Sequence, residues 1–150
     1  MRSLFDGGAA AEIEARIAQV SDQNTRQWGR MNLAQALAHC AGVLELALGD
    51  RRPPRALLGR ILGRVFKRLM IGSDAPLRRN TPTLPYLTVL DRRELHTERD
   101  RLLTLIERFA AGGPARCTVH PHPFFGPLTP QEWAVFEYKH LDHHLRQFGA

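Results

Sequence analysis

Apolar residues recur at helical spacing along most of this chain. From Asp6 to Val20, Ile13, Ile17 and Val20 follow one another at intervals of four and three with alanines beside them, which predicts an amphipathic helix. SDQNTRQWGR then reads as a polar connection ending in Trp28 and Gly29. Asn32 to Leu48 is apolar almost throughout, and a helix of that composition is buried on most sides. Arg55 to Ile71 predicts an amphipathic basic helix. Leu57, Leu58, Ile61, Leu62, Val65, Phe66, Leu69 and Met70 form the face expected to pack across the bundle, while Arg60, Arg64, Lys67 and Arg68 stay in water. Asp91 to Ala110 predicts the next helix, with Asp91 and Glu94 placed as a cap pair and Gly112, Gly113 and Pro114 ending it. The last helix runs from Thr129 to Gly149. Thr129 N-caps it, Pro130 takes its first position and Glu132 completes a capping box.

The connections carry their own signals. The prolines of DRRPPR cannot continue a helix, and NTPTLPYLTVL reads as extended and without a catalytic motif. CTVHPHPFFGPLTP is expected to be a surface loop, although its His120 and His122 are of a type that can approach a metal.

Polar residues on apolar faces are where chemistry can sit. At roughly 100° per residue, Trp133, Phe136, Leu141 and Leu145 share a broad arc of the last helix, and Glu137, His140 and His144 fall inside it. Two imidazoles one turn apart can converge on one metal ion, or can be a core histidine and its neighbour at the border. In the Asn32–Leu48 helix, Asn32, Gln35 and His39 project toward one side, and a buried polar stripe has to be satisfied. Either they form a hydrogen-bond network in the core, or His39 is a third ligand with Gln35 or Asn32 behind it. Cys40 lies about 100° around the helix from His39, off that side. His96 sits in a charged half-helix and is expected on the surface.

At 150 residues the chain suits one domain, residues 1–150, with a core that needs no disulfide. No segment has the length of a membrane span, and the first twenty residues show no unbroken apolar run of the kind a secretory signal carries. Cys40 and Cys117 have no zinc-ribbon spacing, so free thiols in a cytoplasmic protein are expected. The net charge of +6 is concentrated between Arg51 and Arg79, where nine Lys or Arg face a single acid, Asp74. Such a patch attracts phosphate, carboxylate, nucleic acid or an anionic membrane surface. No recognition motif accompanies it, so nucleic acid is the weak reading and a solvated helix face the simpler one. Nucleotide-binding, serine-hydrolase and HExxH motifs are all missing.

The apolar helix with LAHC, the long connection after it and the final HxxxH helix together resemble the DinB-like superfamily, over essentially the whole chain. The ending HPFFGPLTPQEWAVFEYKHLDHHLRQFG is similar to an uncharacterised bacterial branch of it. The resemblance implies an all-α four-helix bundle in up-down-down-up order, whose long helix-containing crossover, Gly49 to Leu90, joins two parallel helices. It maps a metal site onto His39, His140 and His144, holding a divalent ion, zinc or nickel in relatives. His143 is an alternative to His144, disfavoured by its place on the polar arc. Characterised relatives include thiol-dependent S-transferases and a maleylpyruvate isomerase, and relatives often dimerise. The expectation is thus a metal-dependent enzyme of transferase or hydrolase type acting on a small molecule. Glu137 is the candidate base, and the basic segment could recognise a low-molecular-weight thiol or another anion. The rival is a non-enzymatic binding or dimerisation module whose ion is structural or absent. A role in DNA damage rests on the superfamily's name and the charge alone.

Overall fold

The computed structural model describes residues 1–150 and contains five α-helices, two single 3-10 turns and no strand. The helices are α1 (Gly7–Gln19), α2 (Leu33–Leu48), α3 (Leu57–Ile71), α4 (Leu95–Gly112) and α5 (Pro130–Gln147). The 3-10 turns span Pro85–Leu87 and Pro114–Arg116. Helices α1 and α2 each pack against both α4 and α5, while α3 packs on α5.

Local chemistry sets the helix ends. The Asp6 carboxylate accepts from the Gly8 amide to start α1. The predicted capping box at Thr129 and Glu132 forms at the start of α5. A second one, between Asn32 and Gln35, starts α2. Gly49 closes α2 in the left-handed region (φ 80°) and returns its amide to the carbonyls of Glu45 and Leu46. The expected cap at Asp91 does not form. Helix α4 begins later, with Glu94 as its N-cap residue and no side-chain cap. Asp91 instead pairs with Arg93 and gives its carbonyl to Gln35.

The core is one cluster running through α1, α2, α4 and α5, with Ile13, Ile17, Leu44, Leu102, Ile106, Trp133 and Leu141 among its fully buried members. Arg16 ties α1 to α5 by bonding Asp142 and the terminal carbonyl of Ala150. Asp50 and Arg108 form a two-pronged pair between the end of α2 and α4.

Helix α3 departs from expectation. Phe66 and Met70 pack against the core as expected, but the other six apolar residues of that face do not. Leu57, Leu58, Ile61, Leu62, Val65 and Leu69 are exposed, by 37% at Leu62 and 78% at Ile61. The buried positions are Gly59, Gly63 and Ile71. A Cβ on Gly59 or Gly63 would come within 2.5 and 2.2 Å of the Phe124 carbonyl oxygen, so α3 docks by its two glycines against backbone. The connection before α4 also differs from a plain extended strand, because its 3-10 turn carries Leu87 into the core. The HPHPFF loop is likewise not a surface loop at His122, which is buried, although His120 stays partly exposed.

Candidate metal centre

His39 enters from the middle of α2, and His140 and His144 from consecutive turns of α5. The α2 and α5 faces on either side are apolar, so packing the helices brings the rings together. Their centroids are 4.7 to 5.0 Å apart in all three pairings, and one nitrogen from each ring lies within 4.8 Å of the others. His39 and His140 are buried, and His144 lies at the edge, partly exposed.

The ring nitrogens have distinct surroundings. Nδ1 of His39 is 2.9 Å from the Leu87 carbonyl, which can only accept, so Nδ1 carries the proton and Nε2 presents a lone pair. Nδ1 of His144 is 2.7 Å from Oε1 of Gln147, whose amide in turn donates to the Trp28 carbonyl at 2.7 Å. That amide orientation is the one that serves both partners, and it again leaves Nε2 of His144 unprotonated. Nε2 of His39 and Nε2 of His140 face each other at 3.0 Å. Two nitrogens bound to one zinc stand about 3.3 Å apart, given bonds of about 2.0–2.1 Å in a tetrahedron.

Burial keeps all three rings neutral. It lowers the pKa of His39, against a smaller opposing effect from the Leu87 carbonyl, and pushes that of His144 down to about 3. His140 falls well below the ordinary imidazole value for the same reason, reinforced by the neighbouring histidines. Neutral imidazoles with the outer N–H held by a carbonyl or amide are the form in which histidine binds metal. The three rings are therefore close enough, and in the right form, to hold a metal ion. Nδ1 of His140 is buried and has no partner, and no carboxylate belongs to the group.

Other candidates are placed elsewhere. Asn32 and Gln35 do not stand behind His39. They lie in the first turn of α2, where unpaired amides claim them for the capping box, and Gln35 also donates to the Asp91 carbonyl at 3.1 Å. His143 packs edge-on against Trp28, with centroids 5.6 Å apart, and is outside the group of three. Cys40 is buried and its thiol is held protonated by desolvation. His122 is a structural residue. Its Nδ1 accepts from the amides of Phe124 and Phe125, and its ring stacks on Phe125 at 4.4 Å. Glu137 is fully buried with no partner for either carboxylate oxygen, and desolvation raises its pKa well above the usual range. It is not among the converging ligand atoms.

Sequence reasoning missed Leu87, Gln147 and Trp28. Gln147 carried a signal, since it lies three residues after His144 on the same helix face. Leu87 and Trp28 contribute main-chain carbonyls, which no residue type announces.

Residues 4–150 match the family described as a protein of unknown function (DUF1569), and the chain belongs to that family. No curated protein and no solved structure matches the sequence.

Proposed function

We propose that this member of the DUF1569 family is a divalent-metal-binding protein in which His39, His140 and His144 hold zinc or nickel. The observation that carries the reading is the convergence of three neutral imidazoles, two of them with their outer N–H already engaged. Three protein ligands leave coordination positions open, as in catalytic rather than structural zinc sites. When bound, such an ion lowers the pKa of a water or thiol that it holds, which suits a hydrolase or a thiol S-transferase.

The chain's own residues suit that work. Leu87 and Gln147 orient His39 and His144. His144 at the partly exposed edge gives a small molecule a way in. Glu137, the candidate base, is fully buried without a partner and stands outside the three-histidine group, so it is given no part in that chemistry. Of the basic segment, Arg51 lines a cavity beside His39, and Arg79 lies on the His143 side of the site. The Arg79 guanidinium stacks 4.1 Å over the Trp28 ring, which places it as a group to meet an anionic thiol or other anionic substrate. The pairing of α1 and α2 with α4 and α5 supports a DinB-like four-helix bundle in up-down-down-up order, with α3 inside the crossover. Two free thiols support a reducing, cytoplasmic setting.

A second reading has one observation in its favour. The 3.0 Å contact between His39 and His140 is also a good N–H···N hydrogen bond, so the histidines could form a polar core in a non-enzymatic binding or dimerisation module. Nδ1 of His140 stays buried and unpaired under either reading.

Elemental analysis of the purified, untagged protein separates the two, with the His140→Ala/His144→Ala double variant beside it. About one zinc or nickel per chain is expected in the parent and none in a variant that remains helical by circular dichroism. Absence of metal from the parent after incubation with zinc and with nickel would overturn the proposal. Metal addition should also stabilise the parent alone, by about 2.7 kcal/mol at a hundredfold excess over Kd.

A further inference from the structure

Ten large hydrophobic side chains are exposed on this molecule, and six of them lie on α3. At roughly 100° per residue the helix divides into three arcs. Gly59, Gly63, Phe66 and Met70 lie on the arc that faces the rest of the protein. Leu57, Leu58, Ile61, Leu62, Val65 and Leu69 occupy an adjoining arc of about 140°. Arg60 and Arg64 lie off one edge of it, and Arg68 projects just inside that edge. These three arginines are exposed and have no ion pair or hydrogen bond, whereas Lys67, further round, pairs with Glu132 at 2.7 Å. No Asp or Glu occurs from Leu57 to Ile71.

We propose that α3 is an interfacial helix that lies on an anionic phospholipid bilayer. The Leu57–Ile61–Val65 side sinks into the boundary of headgroups and acyl chains, and Arg60, Arg64 and Arg68 meet lipid phosphates. A wide apolar arc bordered on its free side by cations, with no acid, has the charge and shape of helices that rest about 5–10 Å into that boundary. No helix of the chain is long and apolar enough to cross a membrane, so the contact is with the surface.

Charge decides between this occupant and a second copy of the chain. A two-fold contact presents the same patch on both partners, so three unpaired guanidiniums from each would crowd the rim of one apolar patch, with no acid on either α3 to meet them. A bilayer of acidic lipids supplies the missing negative charge.

The helix is held ready for this. Its two glycines let it sit against the backbone at Phe124. Lys67 bonds the Pro127 carbonyl, and Lys139 bonds the carbonyls of Met70 and Ser73 at the other end. Binding therefore orders nothing new. Lys139 also precedes His140, so the far end of α3 is fastened to the turn of α5 that carries a candidate ligand.

Flotation of the full chain with vesicles tests the proposal. One set contains equal parts phosphatidylcholine and phosphatidylglycerol, the other phosphatidylcholine alone. The parent is expected to float with the first set and not the second. Ile61→Asp/Val65→Asp should abolish binding, and Arg60→Gln/Arg64→Gln should weaken it on the order of 30-fold, the effect of two cations near an anionic surface. Both pairs are exposed, so unchanged circular dichroism and melting are expected to accompany the loss. Failure to float with either set, equal flotation with both, or flotation of the variants equal to the parent's would overturn the proposal. A dimer that Ile61→Asp/Val65→Asp splits into monomers, in a protein that ignores both vesicle sets, would assign the face to a second copy instead.

Discussion

Helices α2 and α3 have nearly the same length, and both are rich in leucine, yet α2 buries twelve of its sixteen residues and α3 three of its fifteen. The difference lies in the residues between the apolar ones. In α2 these are small, so α4 and α5 both pack against it. In α3 they are arginines and a lysine over about 100° of the circumference, and the docking arc sets Gly59 and Gly63 against a single backbone segment, with Phe66 and Met70 beside them. An apolar arc thus records that a surface is to be kept from water, without saying whether protein or lipid will cover it.

The sharpest way to break the comparison is a cavity in α2. Leu44→Ala should cost about 2–5 kcal/mol in urea unfolding, because Leu44 is completely buried. A smaller cost is expected where α3 touches the protein. Helix propensity alone makes Gly→Ala favourable by about 1 kcal/mol. At Gly63, however, the new methyl meets the Phe124 carbonyl oxygen at 2.2 Å, so Gly63→Ala should destabilise by about 1–3 kcal/mol. A stabilised Gly63→Ala protein would mean that α3 is not docked there.

The next effect is comparable in size but opposite in sign. Glu137 on α5 is buried without a partner, and its folded-state pKa lies above its unfolded value. Its contribution is present at low pH and is lost as pH rises from the ordinary carboxylate range through the raised value, since the unfolded chain then releases the proton more readily. Glu137→Met should therefore stabilise by about 1–3 kcal/mol near neutral pH and flatten stability against rising pH, read from urea melts across pH. His122 behaves in the reverse sense. Its pKa is pushed down to about 3 by burial, so its contribution is lost as pH falls from about 6.5 toward that value. His122→Phe should remove part of the acid-side slope. The smallest effect is expected from Ile61→Ala on the exposed face of α3, which should change stability by less than about 0.5 kcal/mol.

The residues that announced the candidate centre did so by spacing. His140 and His144 one turn apart inside an apolar arc, and a lone histidine in a nearly all-apolar helix, were legible because polar groups in such places need a reason. The same logic misled at Asn32 and Gln35. They share a side with His39, but they lie in the first turn, where free backbone amides outcompete a site one turn away. His122 was read as surface because prolines flank it, yet two backbone amides and stacked aromatic rings make its burial tolerable.

By itself the sequence determined what short-range physics determines: the positions of five helices to within a few residues, the cap at Thr129, and the faces on which His39, His140 and His144 project. Tertiary structure decided what those faces meet. It brought a carbonyl from the crossover to Nδ1 of His39 and the Gln147 amide to Nδ1 of His144. It also left the apolar arc of α3 in solvent, because two glycines turned the helix's other side toward the protein. Helix formation depends on neighbours along the chain, whereas carbonyl acceptors and docking surfaces come from segments far away in sequence and carry no residue-type signature.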